Sequence, residues 1–390
     1  PDTSSTTETL EARNVDGTAF DTLISNGFVV DGTGASGRYA DVGIRDGRVA
    51  EIGDLSDRDA ARRIDAGGSI VAPGHVTQHS HYDAAVFWDP YCQGSALNGV
   101  TTVVNSNCGF GFAPVKPADV ERTMLMMSTT EQIPVQHQRD GMPWDWESFP
   151  DWLERMRNLP KGVNVGTYLP LNPLLVYVMG VDAAKTRVPT DDEMATLHRL
   201  INEAMDAGAI GISISAMGRT GNSHVDFDGT AMPTESMDHD ALLDICRAVV
   251  ERGEGVIQVL SRIAIFGDRT ITERIGELAK GSGVRVVHNV FLTSDLMPHM
   301  PAEDLAWLDE QRALGRDITA GALVNRGWVE IRVHELDTVA GQLAGVRRIV
   351  ATGGGDELRA LLADPAFLAE FDEEYSATPQ FGPGDFAGQT

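Results

Sequence analysis

The chain changes its hydrophobic period once, near residue 72. From Asp21 to Ala72 the runs DTLISNGFVVDGTG, YADVGIRDGRVAEIGD and RRIDAGGSIVAPG are broken by Gly and Asp turns, which predicts a small all-β unit. From Val71 onward apolar β-type runs alternate with amphipathic stretches, the pattern of βα units around a parallel sheet. Strands are expected near 75–81, 101–107, 163–169, 209–215, 255–260, 284–290 and 317–324. Thr190 and Glu193 form a capping box ahead of Met194, Leu197, Ile201, Ala204 and Met205, which repeat at helical spacing until Gly208. Asp240 is placed to cap a helix whose Leu243, Cys246, Val249 and Val250 face inward. Further helices are expected at 271–280 and 302–314.

Seven such strands predict an α/β fold, a TIM-type (β/α) barrel rather than a doubly wound sheet. No GxGxxG or P-loop follows any of them, which weakens dinucleotide and NTPase readings. The organisation expected is a polar arm over 1–18 and part of a composite β-sandwich over 19–72. The barrel's strands 1–7 follow over 73–325, then a helical segment over 326–390 with a Gly/Pro-rich end. After Asn325 no eighth apolar strand leading to a polar tip is read. An open barrel leaves two unpaired edges, so a segment outside this sequence is expected to close it.

Composition narrows the partners more than the fold. Apolar residues at 42% and charged residues at 23% are ordinary for a globular protein, but a formal charge of −26 repels nucleic acid and anionic membrane. Three cysteines do not make a disulfide framework in 390 residues, which points to a reducing, cytoplasmic setting. The segment PDTSSTTETLEARN lacks a basic and an apolar signal region, and no apolar run reaches the roughly 18 residues of a membrane helix.

The chemistry concentrates at two predicted strand ends. In VAPGHVTQHSHYD, His79 and His81 stand two apart, so on a strand both imidazoles project to one face at its C-terminal end. βα-barrels place their chemistry at that end, and two imidazoles suit zinc or another divalent first-row metal. The next strand, VTTVVNSNCGFG, ends in Cys108, whose thiolate beside the two histidines makes a strong zinc donor set that is still short of a full dinuclear site; its bland alternative is a buried hydrophobe. Cys92 and Cys246 read as structural, and His75, four residues before His79, reads as core. His288 in RVVHNVF is either a ligand or a core histidine. The loop MGRTGNSHVDFDG, with Arg219, Asn222, Ser223 and His224, reads equally as a substrate loop or a solvated one. Arg219 and Arg262 are candidates for a substrate carboxylate, and Tyr168 and Asn172 for the pocket wall.

Residues 71–114, with HSHYDAAVFWDP, NGVTTVV and NCGFGFAPV, resemble the N-acyl-D-amino-acid deacylase (D-aminoacylase) branch of the amidohydrolase superfamily. The likeness runs on through PWDWESFPDWL, VYVMG and AGAIGISIS and weakens beyond about residue 250. It implies a barrel with one or two zinc ions, where metal-activated water attacks an amide carbonyl. It further implies that His79, His81 and Cys108 are ligands and that Asp83 lies close to the site. The family also draws histidines from strands five and six, whereas strand five here reads VIQVLSR. Its catalytic aspartate belongs to strand eight, so the resemblance implies a second polypeptide that supplies this strand and the rest of the sandwich. The expected activity is hydrolysis of an amide C–N bond in an N-acyl amino acid or cyclic amide. A same-fold hydrolase acting on an ester, lactone or C–C bond, and a non-catalytic scaffold subunit, are the alternatives.

Overall fold

The computed structural model describes residues 19–218, 224–261, 268–291, 298–322, 333 and 343–377. The chain divides into two compact units, residues 1–75 and 76–390.

The first unit is a five-stranded sheet built from β1 (Phe20–Val29), β2 (Arg38–Arg45), β3 (Arg48–Gly53), β4 (Ala60–Asp65) and β5 (Ile70–Val71). Its order is β3-β2-β1-β4, with β5 also paired to β1. Strands β2 and β3 are joined by Asp46-Gly47, both at positive φ (52° and 70°), the two-residue turn whose twist suits a hairpin. Phe20, Leu23 and Leu55 make a small core, and the Arg45 and Arg58 guanidinium groups lie 5.1 and 5.0 Å from the Phe20 ring. Tyr39, Val49 and Ile70 remain exposed.

The second unit begins in β6 (His75–Thr77), which neighbours β7 (Val100–Asn105), itself parallel to β8 (Asn164–Thr167). After Tyr168 the same strand line continues as β9 (Leu169–Pro170). Strand β9 opens a parallel series with β10 (Gly211–Ser215), β11 (Val256–Leu260), β12 (Arg285–Phe291) and β13 (Ile318–Ala322). Counting β8 and β9 as one, the described residues hold seven strand positions, each within a few residues of its expected place. Strands β10 to β12 are almost wholly buried, as continuous apolar runs with helices packed on them should be. At β10, Gly211 has no room for a side chain: a Cβ there would sit 1.7 Å from the Val256 carbonyl oxygen.

The helices follow from their end signals. Helix Asp191–Ala207 starts at the Thr190/Glu193 capping box and stops at Gly208, which takes φ +113°. It buries Leu197, Ile201 and Ala204. Helix His239–Arg252 is capped by Asp238 rather than Asp240, because Asp238 accepts a hydrogen bond from the Asp240 N–H. That start makes Leu242, Ile245, Cys246, Ala248 and Val249 its buried face. Helices Thr270–Leu278 and Met300–Ala313 lie where expected, and Ala344–Ala351, Gly355–Leu362 and Pro365–Ala377 form the helical C-terminal segment. No helix of the described residues is long and apolar enough to cross a membrane.

Candidate metal centre

Strand β6 ends at Thr77, earlier than the expected residue 81, so the His-Ser-His run lies just beyond it. The reason is Ser80, whose N–H and Oγ both donate to the Val104 carbonyl (3.0 and 2.8 Å) and bend the chain toward β7. Ser80 Oγ also meets Asn105 Oδ1 at 2.8 Å. With Ser80 turned to β7, the flanking imidazoles face each other: His79 Nε2 and His81 Nε2 are 3.2 Å apart. Cys108 Sγ lies 3.1 Å from His79 Nε2, and all three donor atoms fall within 4.8 Å of one another.

Cys108 is held by a loop of unusual backbone. Ser106 and Cys108 take φ of 58° and 56°, a region that costs a non-glycine residue roughly 1–3 kcal/mol and needs support. Several bonds supply that support. The Ser106 N–H and Oγ donate to the buried Asp83 carboxylate (3.1 and 2.5 Å). The Cys108 N–H donates to Gln258 Oε1 of β11 at 2.6 Å, and the Gly109 N–H to Ser213 Oγ of β10 at 3.0 Å.

Burial dominates the electrostatics. His79 is pushed down to about 4 by desolvation, partly offset by the Asn289 amide. His81 is lowered well below the ordinary histidine value, by burial and then by His79 and His224; His224 falls to about 4 through burial and then His79. Both donor imidazoles are therefore neutral at pH 7, the form a metal binds. Acids feel the reverse. Asp83 is pushed up to about 6 and Glu235 to about 7, each chiefly by burial. Glu131 rises by burial and then the charge of Asp83, and Cys108 by burial and then the charges of Glu131 and Glu235.

The residues present fit a zinc ion. Two nitrogens bound tetrahedrally at about 2.0–2.1 Å stand roughly 3.3 Å apart, close to the spacing of His79 and His81. The thiol is the third donor, and a dication would offset the cost of burying Asp83, Cys108, Glu131 and Glu235 together.

The sequence model of the Amidohydrolase family matches residues 62–259, about half of the chain, from within the first unit through Val259 of β11. The chain belongs to the amidohydrolase family. It is 36% identical to the D-aminoacylase of Alcaligenes xylosoxydans xylosoxydans over 201 residues, 52% of this chain and 39% of that protein. A solved structure of D-aminoacylase, described by its binuclear metal centre, matches with a TM-score of 0.59 at 30% identity, covering 78% of this chain and 58% of that one. N-acyl-D-glutamate deacylase from Bordetella bronchiseptica, solved with zinc and a phosphonate mimic of the tetrahedral intermediate, gives 0.60 at 26% identity over 77% and 58%. The amidohydrolase thus spans 39% of the curated D-aminoacylase and 58% of each of the two solved chains, less than two thirds in every case.

Within this amidohydrolase the structure brings His79, His81 and Cys108 together and leaves His288 out. On β12 the inward position beside the site is Asn289; His288 turns outward, its ring 5.0 Å from that of Trp307 and Nδ1 3.4 Å from Thr272 Oγ1. It is a core histidine between strand and helices. His75 is exposed rather than core, since β6 is an end strand among the described residues. Asn172 does not offer its oxygen to a pocket: Oδ1 accepts from the Thr234 N–H and Oγ1 (3.0 and 3.1 Å). Tyr168 is buried between β8 and β9, its hydroxyl pushed up to about 12 by burial. Arg219, Asn222, Ser223 and Arg262 lie outside the described residues. Sequence reasoning missed Glu131, Glu235 and Gln258. Gln258 was findable as the lone polar position in the apolar run VIQVL.

Proposed function

We propose that this chain carries the metal-binding part of a zinc-dependent hydrolase that cleaves the amide C–N bond of an N-acyl-D-amino acid. The single observation behind this reading is the pair of facing Nε2 atoms 3.2 Å apart with Cys108 Sγ beside them. The substrate class rests on the D-aminoacylase and N-acyl-D-glutamate deacylase relatives. His79, His81 and Cys108 would hold the metal; when bound, zinc supplies Lewis acidity toward the amide carbonyl and the attacking water. Asp83 acts through the Cys108 loop and not on substrate, because both its oxygens are engaged by Ser106. Arg219 and Arg262 are the candidates for the substrate carboxylate. The general-base aspartate, an eighth strand and the remaining sandwich strands would come from polypeptide beyond the described residues, as a partner chain. In support, β6 and β13 are end strands of their sheets among the described residues.

The test is metal analysis and native mass on one sample, then a substrate panel. The expected particle holds the chain with a second polypeptide and about one or two zinc ions. Cys108→Ala and His79→Ala should lose that zinc, and N-acetyl-D-amino acids should be turned over in preference to ester and lactone analogues. A particle without bound metal removes this reading.

A further inference from the structure

The three donors leave one ring nitrogen at the centre with a neighbour of its own. His81 points Nε2 at His79 and turns Nδ1 the other way, toward Glu131 Oε1 at 3.4 Å. That nitrogen is buried and has no hydrogen-bond partner. Glu131 is the last residue of helix Val120–Glu131, and Gln132 ends the helix at φ 52°. The position is a poor one for a carboxylate on three counts. It lies at the negative end of the helix dipole, where cations are favoured. Its side chain is only 14% exposed, so little water solvates the charge. And Asp83 is near enough for its own charge to weigh against that of Glu131. Among the described residues, the basic group paired with this carboxylate is the His81 ring, whose Nδ1 faces it at 3.4 Å.

We infer that Glu131 is a positioning residue for the metal centre: it accepts the Nδ1–H of His81 and so fixes the tautomer and ring orientation that present Nε2 to the metal. Such carboxylate–histidine–metal arrangements also raise the basicity of the ligating nitrogen, and losing the carboxylate lowers metal affinity by about 10- to 100-fold. This inference rests on the zinc reading above and adds a residue from a helix that supplies no ligand.

The experiment uses the protein in its native assembly, with zinc affinity measured by chelator competition and the melting temperature of the zinc-stripped protein recorded beside it. Glu131→Ala should bind zinc about 10- to 100-fold more weakly than wild type, with little change in the stripped protein's melting. Glu131→Gln keeps an oxygen that accepts Nδ1–H and should recover most of the lost affinity. Imidazole ¹⁵N spectra of the zinc-stripped wild type, where no metal on Nε2 dictates the tautomer, should show His81 protonated at Nδ1. Equal zinc affinity in wild type and Glu131→Ala overturns the inference. So does a His81 that carries no proton on Nδ1, a result that decides the matter even if the alanine variant fails to fold. A wild type that binds no zinc at all defeats the metal reading itself and is told apart from both.

Discussion

The backbone amide of Cys108 donates to the side-chain oxygen of Gln258, 150 residues further along the chain, at 2.6 Å. A cysteine on the loop after the second barrel strand is thus aimed by a carboxamide on the fifth. Gln258→Leu leaves a buried N–H without an acceptor, so unfolding should become easier by about 1–3 kcal/mol. Zinc affinity should fall with it, while Gln258→Glu, which keeps an oxygen, should fold closer to wild type. Denaturant unfolding of the stripped proteins checks the first, and chelator competition the second.

Glu235 gives a pH dependence with a defined sign. Burial raises its carboxyl from 4.5 to about 7 against the opposing bonds from Ser215 Oγ and the Met217 and Gly218 N–H groups. Between pH 4.5 and 7 the folded state holds a proton that the unfolded state has released, so this group's contribution falls as pH rises. The neutral buried histidines work the other way between about 4 and 6.5, which is why the comparison must be a difference. With chelator present, wild-type stability minus that of Glu235→Gln should drop by about 3 kcal/mol over that window. A flat difference curve would show that Glu235 stays ionised in the folded protein.

Asp226 is fully buried and receives both Arg122 and Lys185, the latter at 2.6 Å. Its backbone also closes the turn that follows His224, through bonds with Thr230 and Gly229. Asp226→Ala should destabilise by about 3–5 kcal/mol, since two cations lose a buried partner. Asp356→Ala, which breaks an exposed pair with Arg359, should cost under about 0.5 kcal/mol. Thermal melts of the two variants side by side decide it.

Thr190→Ala isolates a purely structural signal. It removes the side-chain acceptor of the Glu193 N–H and half of the capping box, at about 1 kcal/mol. Zinc affinity should not move, which makes it the control for the variants around Cys108.

The strands were legible because buried parallel strands leave long apolar runs, and β7 and β10 to β13 appear within a few residues of where those runs fall. His79, His81 and Cys108 were legible because two-residue spacing and a strand end set their direction before any contact is known. Glu131 was not, because a glutamate closing a helix reads as solvated, and only the fold shows its burial against His81. Glu235 sits in the polar stretch TAMPTESMDHD, where one buried acid leaves no periodic trace. The helix cap moved from Asp240 to Asp238 because two aspartates two residues apart offer the same chemistry, and geometry chose between them. His288 was ambiguous for a similar reason: alternation along β12 offers either it or Asn289 to the interior, and a one-residue difference in register exchanges them.

The loop that carries Cys108 takes its left-handed turns at Ser106 and Cys108 from contacts with Asp83, Ser213 and Gln258 that belong to the folded chain. Its freedom is surrendered during folding, so an arriving ion does not have to order it and no such entropy opposes capture. The same stiffness works against exchange of one ion for another. Were the loop to keep this shape around an ion, a larger or differently coordinated cation would be disfavoured by the backbone as much as by the three donor atoms.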